Sequence, residues 1–491
     1  MNIKIMINAV DAEESRIAKV KDSKLEEFHI ESASREITHG NIYKGVITRV
    51  EPSLQAVFVD YGAERHGFLQ KNEIHSDYFL DSPSGEYGIS QMVKRGQELL
   101  VQVSKDPIMK KGAMLTTYIS LPGRFVVLMP GTESRGISRK IEDEEERSRL
   151  KEIIHGLKMP EGYGVIVRTA GAGGTKTLMS KDLSYLLRLW KSIKDSVMTA
   201  QTPTVLYKER SLVVRSIRDY LTADVSEILI DDDAAYNEAL EFIRIISPKQ
   251  IKMVKQHKGP KPIFTKFQLE EQIASIYENR VALKSGGSIV IDQTEAMVTI
   301  DVNSGRATQK KSIEGTALQT NLEAAEEIAR QLRLRDLGGL IVMDFIDMRD
   351  NKHKAEVERT LKLFLKTDKA KTKVGRISQF GLMEMSRQRL RPSIVYGSFE
   401  TCPHCQGKGL TPSTETLAAG FLRRLSLETL KESGGSVTAS VPVAVANYLL
   451  NKKRREILDL EARREVSIVI CGDADMVPGE SHIDRKGQPA Q

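Results

Sequence analysis

Acidic and amide side chains stand at the ends of two apolar segments in the second half of the chain. Asp301 and Asn303 close one segment, and Asp344 closes the next. Both segments have the composition of buried strands, and a helical segment, residues 321–336, lies between them. A strand, a crossover helix and a second strand would bring both carboxylates to the same edge of a sheet. The sequence therefore predicts a cluster of oxygen ligands at that edge.

The chemistry of this cluster indicates a divalent metal. Carboxylate and amide oxygens are the ligands that Mg²⁺ prefers, and Asn303 lies on the same side of its strand as Asp301 because side chains alternate. A cation held there could activate water against a phosphodiester, which predicts a nuclease. An aspartate at a strand end is also common as a cap or turn residue, but a pair after apolar strands favours the metal. Asp347 is either a further ligand or, with Asp350, a cap of the following loop.

A pair of cysteines forms a second candidate metal site. The stretch Cys402-Pro-His-Cys405-Gln-Gly-Lys-Gly409 resembles half of a zinc knuckle, and structural Zn²⁺ takes four ligands. His404 is poorly placed to complete the same chelate, and Cys471 has no partner motif. We therefore expect two chains to share one Zn²⁺ through their Cys402 and Cys405 pairs, as a homodimer. A redox Cys-x-x-Cys is the alternative, although the glycines that follow argue against it.

Aromatic residues lie among basic residues in the first quarter of the chain. The aromatics are Phe58, Tyr61 and Phe68, and the basic residues are Lys44, Arg49, Arg65 and Lys111. Exposed aromatics stack on bases while nearby cations neutralise phosphates, which predicts a nucleic-acid-binding surface. Any one aromatic is more often part of a core, and Tyr43 follows the inward alternation. The cluster is therefore stronger evidence than any of its members.

A strand that ends in Arg168-Thr169 is followed by a glycine-rich loop. The phosphate-loop pattern needs glycine directly before Lys-Ser/Thr, and Thr175 intervenes here, so we reject nucleotide binding. Arg168 and Thr169 can still present a guanidinium and a hydroxyl to a phosphate monoester. A solvated strand end with a glycine loop is the structural alternative.

The elements that must position these residues follow from periodicity. Residues 1–35 alternate as a strand meander, and short strands with glycine bends then predict a small closed barrel. Its expected strands are 40–50, 55–60, 67–69, 98–103 and 114–119. Strands are next expected at 125–129, 163–168, 212–214 and 227–231, and helices at 142–157, 181–198 and 264–279. The hairpin 288–303 opens the segment that carries the acidic cluster. After the cysteines, residues 413–432 are expected as helix and 437–446 as strand.

Composition restricts the class of protein. A hydrophobic content of 40% and a charged content of 28% are those of an ordinary globular protein, and no apolar run is long enough to span a membrane. The N-terminus does not resemble a signal peptide, so a cytoplasmic location is expected. A net charge of +7 fits a nucleic-acid partner but is weak evidence alone. Three cysteines in 491 residues are not a disulfide framework.

The chain resembles the ribonuclease E/G family along almost its whole length. The resemblance rests on long motifs: Asn41-Ile-Tyr-Lys-Gly, Ala56-Val-Phe-Val-Asp-Tyr-Gly, Ser285-Gly-Gly-Ser-Ile-Val-Ile-Asp-Gln-Thr-Glu-Ala, Gln331-Leu-Arg-Leu-Arg-Asp-Leu-Gly-Gly, Asp344-Phe-Ile-Asp-Met, Gly381-Leu-Met-Glu-Met-Ser-Arg and Cys402-Pro-His-Cys. With no long arginine- and proline-rich tail, it is more similar to ribonuclease G or to a tail-less ribonuclease E.

The resemblance implies an α+β multidomain architecture with an RNase H-like fold interrupted by an S1 barrel. The implied parts are an RNase H-like domain (1–35 and 215–278), an S1 RNA-binding domain (36–120), a 5′-sensor domain (121–214), a DNase I-like catalytic domain (279–398), a zinc link (399–412) and a small C-terminal domain (413–470). Residues 471–491 match no part of the family pattern, and their content of Gly, Pro, Asp and Lys predicts a disordered tail. The resemblance further implies a homodimer or homotetramer.

The resemblance also implies roles for individual residues. Asp301 and Asp344 match the carboxylates that bind catalytic Mg²⁺, and Asn303 matches the supporting amide. Phe58 and Phe68, with Lys111, match the S1 surface that orients RNA. The implied 5′-phosphate pocket consists of Gly123, Val127, Arg168 and Thr169. The implied reaction is endonucleolytic cleavage of single-stranded RNA with a preference for a 5′-monophosphate, leaving a 5′-phosphate and a 3′-hydroxyl, in processing of ribosomal and transfer RNA and in messenger decay.

The chain departs from the family pattern at a few positions. Thr38 and His39 stand where some relatives carry a basic pair, which predicts a weaker S1 contribution to RNA affinity. Lys371 replaces an arginine near the sensor, and lysine cannot bind phosphate through a planar fork. The competing class is a non-catalytic S1-type RNA-binding or ribosome-associated protein, which would have no use for the acidic pair. The physiological RNA and the choice between dimer and tetramer stay open.

Overall fold

A computed structural model of the chain describes residues 2–32, 38–80, 88–107, 112–222, 224–305, 313–391, 393–394, 399–430 and 435–486. The chain divides into two compact units, residues 1–394 and residues 395–491, and each is described by itself. Across the described ranges, every helix is too short or too polar to cross a bilayer.

The first unit begins with the expected antiparallel meander. Its strands are β1 (Ile3–Asn8), β2 (Glu14–Lys21) and β3 (Lys24–Ser32). Ile5 and Ile7 of β1 are fully buried, as period-two alternation requires of a strand with one face on a core.

A closed barrel follows, as the short strands separated by glycine bends predicted. Its elements are β4 (Ile42–Glu51), β5 (Ala56–Asp60), β6 (Gly67–Gln70), α1 (Ile89–Met92), β7 (Glu98–Lys105) and β8 (Met114–Thr116). Because β4 pairs with both β5 and β7, the sheet closes on itself. Gly45 of β4 permits this closure, since a methyl group there would lie 2.7 Å from Val59 Cγ1 and 2.9 Å from the Asp60 carbonyl oxygen.

A small sheet covered by helices comes next. Its elements are β9 (Leu121–Pro122), β10 (Val126–Pro130), β11 (Arg135–Ile137), α2 (Glu144–His155), β12 (Tyr163–Val167), α3 (Lys176–Thr199) and β13 (Thr204–Tyr207), the last of which pairs with β4 of the barrel. Buried Asp182 of α3 accepts the backbone N–H groups of Phe125 at 2.7 Å and Val126 at 3.1 Å. This contact joins α3 to the beginning of β10.

The chain then returns to the sheet of the N-terminal meander. The elements are α4 (Leu212–Tyr220), β14 (Val225–Ile230), α5 (Asp233–Ile246), β15 (Val254–Gln256), α6 (Ile263–Lys266) and α7 (Glu270–Ala274). Strand β14 runs parallel to β1 and completes the order β15-β14-β1-β2-β3. The prediction of a strand at 212–214 is wrong. The Ser211 hydroxyl caps a helix there by accepting the Val214 N–H, and Ile217 and Tyr220 extend the same buried face.

The last sheet of the first unit carries the acidic cluster. Its elements are β16 (Arg280–Ala282), β17 (Ser288–Gln293), β18 (Met297–Asn303), α8 (Ile313–Leu334), β19 (Gly339–Asp344), α9 (Asn351–Leu365), β20 (Thr372–Ile377) and β21 (Leu382–Arg387). The strand order is β16-β17-β18-β19-β21-β20, and only β18 and β19 are parallel among its described pairs. Helix α8 is the expected crossover, although it begins earlier than residue 321.

The second unit is a small α/β domain. Its elements are α10 (Thr414–Glu428), β22 (Ser436–Pro442), α11 (Val443–Lys452), α12 (Arg454–Arg464), β23 (Ser467–Asp473) and β24 (His482–Lys486). Strand β22 is central, parallel to β23 and antiparallel to β24. The prediction that 471–491 is a disordered tail is therefore wrong for the part described. Turn residues around Gly479 lead into a strand that hydrogen-bonds to β22, a pairing that composition did not reveal.

Candidate catalytic and RNA-binding sites

The acidic residues meet at the edge where β18 and β19 end. In the parallel register of these strands, Asp301 lies directly beside Asp344. Asn303, two residues further along β18, donates its Nδ2 to Asp301 Oδ2 at 2.6 Å. All three side chains are exposed, whereas Ile300 and Met343 beneath them are buried. The structure thus brings together the residues that the sequence analysis placed in one cluster.

The carboxylates of the cluster interact electrostatically. Partial burial and the charges of Asp301 and Asp347 raise the pKa of Asp344 above its ordinary value. Asp347 belongs to the same edge, because a methyl group on Gly381 would lie 3.1 Å from Asp347 Oδ1 and 3.9 Å from Asp344 Oδ1. A raised pKa caused by neighbouring carboxylates means that a cation bound between them would be stabilised.

The oxygen ligands of the cluster fit Mg²⁺, which keeps water and phosphate ligands, better than a metal ion whose ligands all come from the protein. Within the described residues, no group of three or more His, Cys, Asp or Glu side chains is arranged to hold a metal ion. Mg²⁺ is usually bound through one or two carboxylates, with waters and substrate phosphates completing its coordination. Two carboxylates in register and an amide that fixes one of them meet this requirement.

The barrel presents a stacking surface built on β5 and β6. Phe58 and Phe68 are direct cross-strand partners, with ring centroids 5.7 Å apart and an interplanar angle of 66°. Both rings are half-buried, and the guanidinium of exposed Arg49 lies 4.4 Å from the Phe58 ring centroid. An aromatic pair beside a cation is suited to stack bases and neutralise phosphate. Lys111 lies outside the described residues.

Tyr61 does not belong to this surface, so its placement there is corrected. Its side chain is only 3% exposed and packs against Tyr43, with ring centroids 5.0 Å apart. Burial raises the pKa of the Tyr61 hydroxyl. Since Tyr61 is three residues from Phe58, strand alternation directs it to the opposite, inner face. It is a core residue of the barrel.

Arg168 connects the residues of the expected phosphate pocket. Its guanidinium donates to the Gly123 carbonyl oxygen at 2.6 Å and to Asp219 Oδ1 at 2.7 Å. Val127 lies on β10 beside β12, the strand that leads into Arg168. Thr169 is exposed in the turn that follows. Arg168 and Gly123 are therefore in direct contact, while Val127 and Thr169 lie on the adjoining strand and turn.

Asp219 and Lys369 are residues of this region that the sequence analysis missed. Burial favours the neutral form of Asp219, but the guanidiniums of Arg218 and Arg168 outweigh it and hold the Asp219 pKa well below its usual range. Lys369 Nζ lies 3.1 Å from the centroid of the Tyr220 ring. Both residues and Arg168 line a cavity of about 260 Å³. Arg218 and Asp219 of α4 are typical of the charged residues of an ordinary helix, so their spacing does not indicate the contact of Asp219 with Arg168.

The residues at which the chain departs from the family pattern lie in different environments. Lys371 is exposed and is not among the residues that line the cavity with Arg168. Thr38 donates its N–H and hydroxyl to Asp106 Oδ1 at 2.8 and 2.9 Å, and the His39 N–H donates to the same oxygen at 2.8 Å. Thr38 and His39 therefore anchor the entry to the barrel.

In the second unit, Cys402 and Cys405 lie in a tight turn before α10. The Gln406 N–H donates to the Cys402 carbonyl oxygen at 2.8 Å, and Gln406, Gly407 and Gly409 adopt positive φ. Backbone N–H groups, first that of Gly409, lower the pKa of the Cys405 thiol. N–H donors to sulfur favour a thiolate, the form that binds metal.

All three cysteines are free thiols. The Cys402/Cys405 turn does not open a helix, because α10 begins only at Thr414, which differs from a redox Cys-x-x-Cys. Cys471 is exposed on the outer strand β23, opposite Ser440 of β22, and the structure gives it no metal-binding partner among the described residues.

Comparison with known proteins assigns the segments that carry these sites. The model of the "Ribonuclease E/G family" matches residues 120–390, more than half of the chain. The model of the "S1 RNA binding domain" matches residues 36–105, and that of the "RNase E/G, Thioredoxin-like domain" matches residues 401–486. The first contains the acidic cluster and the Arg168 region, the second contains Phe58 and Phe68, and the third contains the cysteine turn.

Individual relatives agree with this assignment. The chain is 48% identical to ribonuclease E of Haemophilus influenzae over 96% of its own length and 51% of the relative's. Identity to ribonuclease E of Escherichia coli K12 is 46%, over 99% and 46% of the two chains. The chain thus spans about half the length of these relatives. It is 39% identical to ribonuclease G of Escherichia coli K12 over 87% of this chain and 88% of that one. Because this similarity extends over most of both chains and includes the segments that carry the sites, the protein belongs to the ribonuclease E/G family.

Proposed function

We propose that the protein is a Mg²⁺-dependent endoribonuclease that cleaves single-stranded RNA. The observation that carries the proposal is the parallel register of β18 and β19, which sets Asp301 beside Asp344, with Asn303 hydrogen-bonded to Asp301. This acidic edge lies within the segment matched by the ribonuclease E/G model. A non-catalytic RNA-binding module would gain nothing from carboxylates held against their mutual repulsion.

Asp301 and Asp344 would hold the metal ion. When bound there, Mg²⁺ would supply Lewis-acid activation of water and charge neutralisation on the scissile phosphate. Asn303 orients the Asp301 carboxylate through its 2.6 Å hydrogen bond, which leaves one face of that carboxylate available to a ligand. Hydrolysis on the 3′-oxygen side of the phosphate would leave a 5′-phosphate and a 3′-hydroxyl.

RNA would reach this edge by way of the barrel. Phe58 and Phe68 would stack on bases while Arg49, and Lys111 by family resemblance, would neutralise phosphates. Because stacking is tolerant of sequence and needs unpaired bases, this surface supports single strands as the substrate. Ribosomal and transfer RNA precursors and messenger RNA are the proposed substrates.

The Arg168 region would give a preference for a 5′-monophosphate. Arg168 is held in place by the Gly123 carbonyl oxygen and Asp219, so its remaining donors and the exposed Thr169 hydroxyl would face a terminal phosphate beside Val127. A guanidinium fixed before the ligand arrives loses little entropy on binding. Lys371, being exposed, would contribute charge without bidentate geometry.

The cysteine turn would join two chains through Zn²⁺. Cys402 and Cys405 offer two of the four ligands that structural zinc takes, and a second copy of the turn would provide the others around a twofold axis. We propose a homodimer of this kind, which could pair further into a homotetramer. Free thiols suit a reducing compartment such as the cytoplasm.

The finer domain boundaries also belong to this proposal. The sheet β15-β14-β1-β2-β3 combines the two separated segments 1–35 and 215–278, as an RNase H-like domain with insertions would. Residues 36–120 would form the S1 domain, 121–214 the 5′-sensor domain and 279–398 the DNase I-like domain. Residues 399–412 would be the zinc link and 413–470, extended by β24, the small domain.

Cleavage of one labelled RNA by wild type and by Asp344→Asn tests the proposal. We expect the wild type to cut in Mg²⁺ and to cut a 5′-monophosphate substrate faster than its 5′-hydroxyl form. Asp344→Asn should lose cleavage by at least about 100-fold because a metal carboxylate is gone, while its RNA affinity stays the same. Full cleavage by Asp344→Asn would refute the catalytic site, whereas equal rates on the two 5′ ends would remove only the sensor.

A further inference from the structure

A cavity of about 520 Å³ opens on the barrel beside the stacking pair, and the proposed function does not use it. It begins where β6 ends, at Gln70, and continues past the short helix Lys71–Glu73. Gln70 is two residues from Phe68 on the same strand, so both side chains lie on one face. The rise of a strand places their Cα atoms about 6.8 Å apart. The cavity is therefore the next position along the surface that Phe58 and Phe68 form.

The loop between β4 and β5 forms another side of the cavity. Leu54 and Gln55 of this loop both line it, and the Gln55 backbone carbonyl oxygen accepts the Lys71 N–H at 2.9 Å. In five-stranded barrels of this kind, the loop between the first two strands borders the oligonucleotide-binding face. The cavity thus lies beside the stacking pair, next to the loop that borders the oligonucleotide-binding face in such barrels.

The lining combines an apolar floor with an amide rim. Ile74 and Met92 are buried beneath it, and Tyr118, with a side chain 37% exposed, forms an aromatic wall whose ring contacts His75 at 5.3 Å between centroids. A floor and wall of this kind can hold the flat face of a base, because every base has an apolar π-face.

The rim can recognise the edge of that base. Gln55 commits its Nε2 to the Pro52 carbonyl oxygen at 2.8 Å and keeps its Oε1 as an acceptor. The side-chain amides of Gln70 and Asn72 make no hydrogen bond to any residue that the structure describes. Each unpaired amide offers two donors and an acceptor, the groups that pair with base edges.

We propose that this cavity is a nucleobase-binding subsite, which takes the base next to those stacked on Phe58 and Phe68 in single-stranded RNA. The inference rests on the proposed function of the barrel, and it adds a position that reads base edges to a surface that otherwise stacks without regard to sequence. The base enters against Tyr118, and Gln70 and Asn72 hydrogen-bond its edge.

The test compares two ligands on the full chain, with Asp344→Asn present throughout to prevent cleavage. One ligand is a ten-nucleotide single-stranded RNA with a 5′-hydroxyl, and the other is the abasic ribose-phosphate oligomer of the same length. Binding is measured by fluorescence anisotropy for Tyr118→Ala, Gln70→Ala and Asn72→Ala. Asn72 is exposed, so its replacement does not disturb the core. Gln201→Ala, an exposed amide that does not line the cavity, is the matched control.

We expect Tyr118→Ala to weaken RNA binding by about 5- to 10-fold, in the range of one lost stacked base, and Gln70→Ala and Asn72→Ala by about 2- to 5-fold each. Affinity for the abasic oligomer should stay unchanged, because phosphate contacts are intact. Equal losses on both ligands, or no loss on RNA, would overturn the subsite. Phe58→Ala/Phe68→Ala is measured in parallel: if it alone has no effect, the stacking surface of the proposed function and the adjacency of the subsite to it are refuted, whereas the losses in the cavity variants would still show that the cavity binds a base.

Discussion

The carboxylates of Asp301, Asp344 and Asp347 repel one another at the end of β18 and β19 when no cation neutralises them. The pKa of Asp344 is raised by partial burial and by its two acidic neighbours. Because the protonated form cannot bind a cation, acid should remove metal binding at a higher pH than for an isolated aspartate. Relief of this repulsion would favour binding of the proposed divalent cation.

Asp347→Asn tests this electrostatic coupling. Removing one negative neighbour should lower the pKa of Asp344, so the acid limb of cleavage at subsaturating Mg²⁺ should move to lower pH. The pH profile of kcat/KM, together with a carboxyl-carbon NMR titration of Asp344 without metal, measures the shift. Asp195→Asn, an exposed site on α3, is the charge-matched control. An unchanged limb in Asp347→Asn would show that the two carboxylates do not interact.

Side-chain alternation explains which residues the sequence could place. Asp301 and Asn303 share a face because they are two apart, and the structure joins them by a hydrogen bond. The same rule separates Tyr61 from Phe58, because three residues of a strand lead to the opposite face. The prediction that Tyr61 binds RNA is wrong because it rests on residue type and not on this spacing. Asp219 could not be found this way, since its partner Arg168 is 51 residues away in another element.

A buried ion pair between neighbouring elements helps to position the strand that ends in the acidic cluster. Arg387 of β21 and Asp368, which follows α9, form a bidentate ion pair with both side chains 2% exposed. Arg387 also donates to the Leu337 carbonyl oxygen just before β19. The pair therefore connects β21, the end of α9 and the segment that leads to Asp344.

Asp368→Ala should be strongly destabilising, since it leaves a buried guanidinium without its counter-charge. We expect a loss of about 3–5 kcal/mol in the free energy of unfolding, measured by urea denaturation. Glu456→Ala breaks the exposed Lys453–Glu456 pair and should cost less than about 1 kcal/mol. The double variant Asp368→Leu/Arg387→Leu should recover part of the loss. Similar costs for Asp368→Ala and Glu456→Ala would contradict the role of burial.

Helices and strands were predictable where the hydrophobic periodicity agreed with the positions of glycine bends and other turn residues. The barrel, the hairpin 288–303 and the β18-α8-β19 crossover follow from alternating strands, glycine bends and a long helical segment. The segment 212–214 was misassigned because three apolar residues suit either a strand or a buried helical turn, and the Ser211 cap decided between them. Strand β24 was missed because its residues are polar and it is held by pairing with β22.

A buried cluster links β3 of the first unit to the end of α8, and two of its residues, His29 and Asp336, have pKa values shifted in opposite directions. Burial and the charge of Arg391 lower the pKa of His29 to about 4, and burial raises the pKa of Asp336, 3.9 Å away, to about 6. Between these values the folded state carries its proton on Asp336, while the unfolded state carries it on His29. The two states bind equal numbers of protons, so the contributions of this pair to the pH dependence of stability cancel.

Single replacements should separate these opposed contributions. In Asp336→Asn only His29 remains, the unfolded state binds more protons, and stability should rise with pH between about 4 and 6.5 relative to wild type. In His29→Gln only Asp336 remains, and stability should fall as pH rises from about 4 to 6. Each slope is at most about 1.4 kcal/mol per pH unit. Urea denaturation of both variants and wild type across this range measures them, and slopes of the same sign would exclude the compensation.

The proposed assembly of two chains would depend on the cysteine turn of the second unit. Backbone N–H groups close to its sulfur lower the pKa of Cys405, which favours the thiolate that binds metal. The turn nevertheless supplies only two of the four ligands that structural zinc takes.

We expect Cys402→Ala/Cys405→Ala to lose zinc and to become monomeric in sedimentation equilibrium, while Cys471→Ala keeps both metal and dimer. A stoichiometry near one zinc per two wild-type chains supports sharing. A variant that stays dimeric and keeps its zinc would refute the link, and zinc-free wild type with a Cys402–Cys405 disulfide would instead favour redox chemistry.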